Sequence, residues 1–164
     1  MEAAALFLSV RSRSVEETRR RLRHLGYPPP LCDQVVDRLV ELGYLDDAQF
    51  AVAWVESRDR ARPRGVVALR RELQLKGISD ETIAQVLAQR AQAAADRDLE
   101  AGSAVVNADH EAARKLIAKR SRSLQREADP RRRRQKAYAL LARNGFAPDV
   151  CHEVAASVAE DDTE

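Results

Sequence analysis

Three glycines, Gly26, Gly77 and Gly145, carry the same surroundings, and that recurrence constrains the fold more than anything else in the chain. Four residues before them stand Leu22, Leu73 and Leu141, and one residue after them Tyr27, Ile78 and Phe146. Six residues after come Cys32, Ile83 and Cys151, and nine after come Val35, Val86 and Val154. The stretch "LQLKGISDETIAQVL" (73–87) shows what the pattern encodes. An amphipathic helix ends at a glycine free to take the left-handed conformation, and the next apolar residue folds back onto its last turn. Ser79-Asp80-Glu81 and Pro148-Asp149 then open a following helix with an N-cap oxygen or a first-turn proline. Pro28-Pro29-Pro30 does the same more stiffly, and Gly43-Tyr44 is a fourth terminator followed by the capping pair Asp46-Asp47. A corner that returns with its packing residues marks an internal repeat.

Periodicity places helices over 2–11, 14–25, 30–42, 46–61, 64–76, 80–100, 109–126, 131–144 and 148–160. The inward rows are Val15, Thr18, Leu22 and Leu25; Leu31, Val35, Leu39 and Leu42; Val66, Leu69 and Leu73; Ile83, Val86 and Leu87; Ala113, Leu116 and Ile117; Ala137, Leu140 and Leu141; and Val150, Val154 and Val158. Phe50 and Trp54, one turn apart, read as a core pair rather than a base-stacking platform. The expected fold is all-α: three tandem three-helix, helix-turn-helix-like units over 1–44, 45–104 and 105–164. The second ends in an extended helix and the third in an acidic tail. Gly77 to Gly145 is 17 residues longer than Gly26 to Gly77, so the extra length falls near 90–108, in a lengthened helix and a connector at Gly102-Ser103.

Charge follows the repeat. The net charge is only +2, yet segments 11–25, 58–76 and 114–136 hold 24 of the 28 lysines and arginines and 6 of the 26 acidic residues. Each basic segment centres on the middle helix of its unit or the end of the helix before it. If equivalent helices share one side, their patches join into a surface suited to a polyanion or an acidic partner. Arg131–Arg134, followed by "QKAYALL", reads as the opening of a basic amphipathic helix. The residues of interest for binding are Arg20, Arg23, Arg64, Arg70, Arg71, Lys76, Arg132, Arg133 and Lys136.

The sequence offers no catalytic constellation, cofactor motif or metal-ligand spacing. His24, His110 and His152 lie apart, and Cys32 and Cys151 sit where Ile83 sits in the second unit, which makes them small buried side chains. The six glycines form no phosphate-cradling loop. No apolar run approaches the roughly 20 residues of a membrane span. The start "MEAAALFLSV" lacks a basic n-region, and the unpaired cysteines suit a reducing cytoplasm.

"ELGYLDDAQFAVAWVESR" (41–58), "LRRELQLKGISDETIAQVL" (69–87) and "RRQKAYALLARNGFAPDVCHEVA" (133–155) resemble the RecX family of bacterial regulatory proteins, and the likeness spans about 14–160. The resemblance implies an elongated, curved array with a basic concave side. It also implies a non-enzymatic protein that lies along RecA filaments on single-stranded DNA and inhibits ATP hydrolysis and strand exchange. Two features depart from the family pattern: the additional residues near 90–108, and three prolines where the family has a looser polar turn. The expected partners are RecA and, weakly, DNA phosphates, with the chain a monomer. The rival reading is a helical protein that coats nucleic acid without RecA. A third is a scaffold whose basic helices pair with its own acidic ones and bind neither.

Overall fold

The structure, a computed structural model, describes residues 2–100 and 107–160. Among these the regular elements are all α-helices: α1 Glu2–Val10, α2 Val15–His24, α3 Pro29–Glu41, α4 Asp47–Ala61, α5 Val66–Leu75, α6 Asp80–Glu100, α7 Ala108–Gln125, α8 Pro130–Arg143 and α9 Pro148–Glu160. The lengthened α6 is present. The connector at Gly102-Ser103 and the acidic tail past Glu160 lie outside the described residues. The only start that moves by two residues is that of α5, because Arg64 and Gly65 are spent on a docking contact described below.

The glycine corners behave as their sequence requires. Gly26, Gly43, Gly77 and Gly145 have φ of 86°, 72°, 80° and 77°, and no other described residue has a positive φ. At each corner the glycine N–H reaches back to Arg23, Val40, Gln74 or Ala142 at 2.9–3.0 Å. The N–H of the next residue returns to the carbonyl of Leu22, Leu39, Leu73 or Leu141 at 2.9–3.3 Å. These two bonds close the last carbonyls of the helix, which would otherwise be left without donors. Cys32 and Cys151 are buried at 1% and 0%, each thiol 3.5 Å from the carbonyl five residues back, Tyr27 or Phe146. Ile83 holds the same position at 0%.

The chain divides into two compact units, one formed by 1–54 with 72–86 and the other by 55–71 with 87–164. In the first, Ala4, Leu22, Cys32, Val36, Leu39 and Leu45 form a core edged by Val15 and Val35. In the second, Leu116, Leu141, Phe146, Val150 and Val154 pack around Ala113 and Cys151. Burying one such side chain contributes roughly 2 kcal/mol. Phe50 is buried, and its ring stacks on Trp54 with centroids 5.9 Å apart.

Three expected core leucines are at the surface: Leu25, Leu31 and Leu42 are 44%, 43% and 46% exposed. Leu25 and Leu42 are C-cap residues, where the chain is already leaving its helix. Leu31 lies one place off the row that α3 actually buries, Cys32, Val36 and Leu39. Tyr27 also departs from its repeat: Ile78 and Phe146 are 4% and 5% exposed, whereas Tyr27 is 41% exposed.

Candidate binding surface

The start of α2 is seated by residues distant in sequence. Ser14 Oγ accepts from Glu17 N at 3.1 Å, and the Glu17 carboxylate returns to Ser14 N at 3.4 Å, a reciprocal capping box. Ser14 Oγ also donates to the Lys76 carbonyl at 2.7 Å, and the Asp47 carboxylate accepts from Val15 N at 2.9 Å. Burial pushes the Asp47 carboxyl above its usual range. The N-terminus of α2 thus rests on the Gly77 corner and is capped from the first turn of α4.

The second unit repeats this arrangement. Gly65 N donates to the Asn144 carbonyl at 3.1 Å and Val67 N to the Gly145 carbonyl at 3.3 Å. Asp109, in the first turn of α7, accepts from Val66 N at 2.9 Å. Asp47 and Asp109 are equivalent clamps, and Gly77 and Gly145 are equivalent seats. Asp109 carries a further load: Arg90 on α6 donates to it at 2.6 Å and forks onto Asp59 at 2.9 and 3.0 Å. Arg90 and Asp109 side chains are only 10% and 5% exposed. The first N–H of α2 and of α5, on Val15 and Val66, is therefore satisfied by an aspartate of the following repeat.

The basic residues divide by their position relative to the buried rows. Arg70 and Arg71 both leave the Leu69–Leu73 row of α5; they are exposed and make no ion pair or hydrogen bond among the described residues. Arg20 and Arg23 are exposed on α2; Arg20 pairs with Glu16 at 3.0 Å and reaches the Leu75 carbonyl at 3.3 Å. Arg132 is exposed beside Asp129 at 3.6 Å, and Lys136 is exposed against Glu127 at 2.5 Å.

The remaining three are committed inside the protein. Arg133 is 6% exposed and donates to the Glu127 carbonyl at 3.1 Å. It stands four residues before Ala137 and eight before Leu141, on the buried row of α8. That spacing was readable from the sequence, and it turns Arg131 and Arg134 outward instead. Lys76 continues the Leu69–Leu73 row, bonds to Glu17 and lies 4.8 Å over the Trp54 ring, whose Nε1 donates to Glu72 at 2.8 Å. Burial raises the Glu17 carboxyl, but the hydrogen bond and charge of Lys76 outweigh it and hold the carboxyl below its usual range. Arg64 hydrogen-bonds the side-chain oxygen of Asn144 at the Gly145 seat.

Lys119, though exposed, is also engaged within the chain, donating to the Arg60 and Ala61 carbonyls at 3.0 Å each and so closing the C-terminus of α4. What remains outward on the middle helices is a set of arginines, with Lys136 on α8, held on well-capped scaffolds. Such a guanidinium forks onto phosphate or carboxylate oxygens, and it does so without disturbing a core. No group of side chains suited to a metal ion occurs among the described residues, nor any helix long and apolar enough to cross a membrane.

Comparison with known proteins places all three repeats. Models of the first, second and third three-helix domains of RecX match residues 1–39, 46–87 and 108–154. Regulatory protein RecX of Mycobacterium ulcerans is 35% identical over 147 residues, which is 90% of this chain and 77% of that protein. Its counterpart in Mycobacterium sp. strain JLS is 33% identical over 150 residues, 90% of this chain and 74% of that one. The crystal structure of RecX from Lactobacillus salivarius superposes with a TM-score of 0.73 at 19% identity, covering 96% of this chain and 92% of that chain. A second crystal structure of regulatory protein RecX gives 0.71 at 22% identity, covering 93% and 70%.

Proposed function

Because the chain belongs to the RecX family, we propose that it is a non-enzymatic cytoplasmic regulator that binds RecA filaments on single-stranded DNA and restrains their ATP hydrolysis. One observation carries the reading beyond the family name. The middle helices keep arginines out of the core at each repeat: Arg20 and Arg23 on α2, Arg70 and Arg71 on α5, and Arg131, Arg132 and Arg134 on α8. In this reading the working modules are 1–44, 45–104 and 105–164. Each makes weak contacts that add because covalent connection raises the effective concentration of the next. The filament offers acidic side chains and DNA phosphates together, and arginine recognises both. The deciding experiment follows RecA ATP hydrolysis on single-stranded DNA as sub-stoichiometric protein is added; hydrolysis that stays at its starting rate sinks the proposal.

Arg70→Glu with Arg71→Glu is expected to leave the helical signal and melting temperature close to the parent, since exposed arginines contribute less than about 1 kcal/mol to stability. The same double change should weaken suppression of RecA by about tenfold, as reversed charges cost a few kcal/mol at a desolvated contact. On α8 the matching change belongs at Arg131, Arg132 and Arg134, because replacing the buried Arg133 would confuse binding with folding. A folded Arg70/Arg71 double variant that suppresses RecA at the parent's concentration would assign the α5 arginines to solvent alone.

Binding to bare DNA should be weak, indifferent to sequence and steeply dependent on salt, because the outward side chains are arginines without interleaved aromatics. Trp54, the single tryptophan, is held by Phe50, Glu72 and Lys76 and is not free to stack on a base. A titration of labelled single-stranded DNA across a several-fold rise in salt checks this. Tight binding that persists at high salt, with no added effect from RecA, would favour a nucleic-acid-coating protein that acts alone.

A further inference from the structure

Among the described residues, two of the three repeated corners are occupied and the third is not. The Gly77 corner seats the start of α2: Ser14 Oγ donates to the Lys76 carbonyl, and a Cβ added at Gly77 would overlap the Glu16 side chain, 2.7 Å from its Cγ. The Gly145 corner seats the start of α5: Gly65 N and Val67 N donate to the Asn144 and Gly145 carbonyls, and a Cβ at Gly145 would lie 2.5 Å from Ala68 N. At Gly26 the same backbone conformation recurs with φ of 86°, but a Cβ there would meet nothing within 4 Å. Among the described residues no hydrogen bond ends on the Leu25 or Gly26 carbonyl, the counterparts of the acceptors used at the other two corners.

The side chains agree with the backbone. Ile78 and Phe146 are covered at 4% and 5%, whereas Tyr27 is 41% exposed and its neighbours Leu25 and Leu31 are 44% and 43% exposed. A shallow apolar pocket beside them is lined by Ala3, Leu22, Tyr27, Leu31, Cys32 and Val35. We infer that the Gly26 corner is a docking seat for the first turn of a helix on the protein partner, the same class of ligand that the chain itself lays on Gly77 and Gly145.

The internal occupants state what such a ligand looks like. Its first positions are small, as Ser14 and Gly65 are, because larger side chains would separate it from the carbonyls it reaches. At the Gly77 seat, where a cation stands immediately before the glycine, the occupant brings carboxylates: Glu16 and Glu17 open α2 and Glu17 bonds to Lys76, whereas α5 on the Gly145 seat has no acidic residue in its first turn. At Gly26 the complementary charge comes from the last turn of α2, which carries Arg21, Arg23 and His24. An acidic first turn suits both that turn and the positive end of the incoming helix dipole.

A second copy of this chain is a poor occupant. Its only middle helix not seated on a following repeat is α8, which opens one turn earlier with Pro130 and caps its own Arg131 N–H with Asp129 at 2.9 Å. The start of α8 therefore lacks the free donor and small residue the seat receives. This assignment rests on the RecA reading and makes the RecA protomer the source of the helix.

The test measures binding of the full chain to RecA filaments on single-stranded DNA and, separately, to bare single-stranded DNA. Tyr27→Glu and Leu25→Glu should each weaken filament binding at least tenfold, with DNA binding and melting temperature unchanged. A photoreactive benzophenone residue at position 27 should crosslink to the first turn of a RecA helix. Parent protein that binds filaments, with both variants binding equally well and the probe crosslinking to DNA, to a second copy or to nothing, overturns the seat and leaves the RecA reading standing. Parent protein that binds no filament overturns the RecA reading, and the RecA-docking assignment with it.

Discussion

Asp109→Ala is expected to lower the melting temperature by roughly 10 °C, a larger loss than any single change among the exposed arginines. Two interactions vanish together. Val66 N loses the acceptor that caps α5, a loss of about 1 kcal/mol. Arg90, with its side chain 10% exposed, loses one of its two carboxylates, and an incompletely compensated buried cation adds about 2 kcal/mol. For a chain of this length about 3 kcal/mol converts to a shift of that size. Asp109→Asn keeps the shape and an oxygen for Val66 N while removing the charge, so it should lose less than half as much. Arg90→Met should be at least as damaging as Asp109→Ala, since it leaves Asp59 and Asp109 facing each other without the guanidinium between them. Burial shields the network from ions, so these losses should persist when salt is raised. An Asp109→Ala variant that melts within a degree or two of the parent would show that α5 is seated by its apolar row alone.

The contrast between Asp109 and the glycine corners shows what a sequence displays. The corners are local: helix end, glycine, apolar residue and next helix start lie within about a dozen positions, and helical periodicity exposes them. Asp109 meets Val66 across 43 positions, and Asp47 meets Val15 across 32. Read locally, both aspartates look like caps of their own helices. Asp46 does cap its own helix, accepting from Gln49 N at 2.9 Å, but Asp47 beside it caps another. Arg90 is one of four basic residues outside the three basic segments, where charge counting gives no signal, yet it is the most deeply committed cation of its helix.

The binding surface was legible in part. Counting charge along the chain finds the basic helices, but their arginines differ by register, not by type. Arg133 and Lys76 fall on rows with Ala137 and Leu73 and turn inward, whereas Arg70 and Arg71 fall between the rows and stay out. The rows that mark the buried apolar residues separate the two sets of cations as well. Leu25, Leu31 and Leu42 fail for the opposite reason. Their spacing is helical, but Leu25 and Leu42 sit at helix ends, where periodicity continues after the neighbouring element has stopped covering it, and Leu31 lies one place off the row that α3 buries.

Alanine at the three repeated glycines is expected to destabilise in the order Gly145, Gly77, Gly26. All three share the cost of placing a Cβ in the left-handed region, about 1 kcal/mol. At Gly26 nothing is added, since the new methyl meets open space. At Gly77 the methyl overlaps Glu16 at its Cβ and comes within 2.7 Å of its Cγ, so the side chain must turn and α2 must lift slightly from its seat. At Gly145 it meets the backbone of α5, 2.5 Å from Ala68 N and 2.9 Å from Ala68 Cα, where no rotamer change helps. Overpacking of that kind adds about 1–3 kcal/mol, so Gly145→Ala should cost about 3 kcal/mol in all. Gly65→Ala isolates the steric share: Gly65 has an ordinary φ, and its added Cβ would overlap the Gly145 carbonyl and crowd Phe146 Cα at 2.5 Å. Chemical denaturation of the four variants resolves these differences. Equal losses at Gly26, Gly77 and Gly145, with none at Gly65, would mean that only the backbone conformation matters and that the middle helices are not pressed onto the corners.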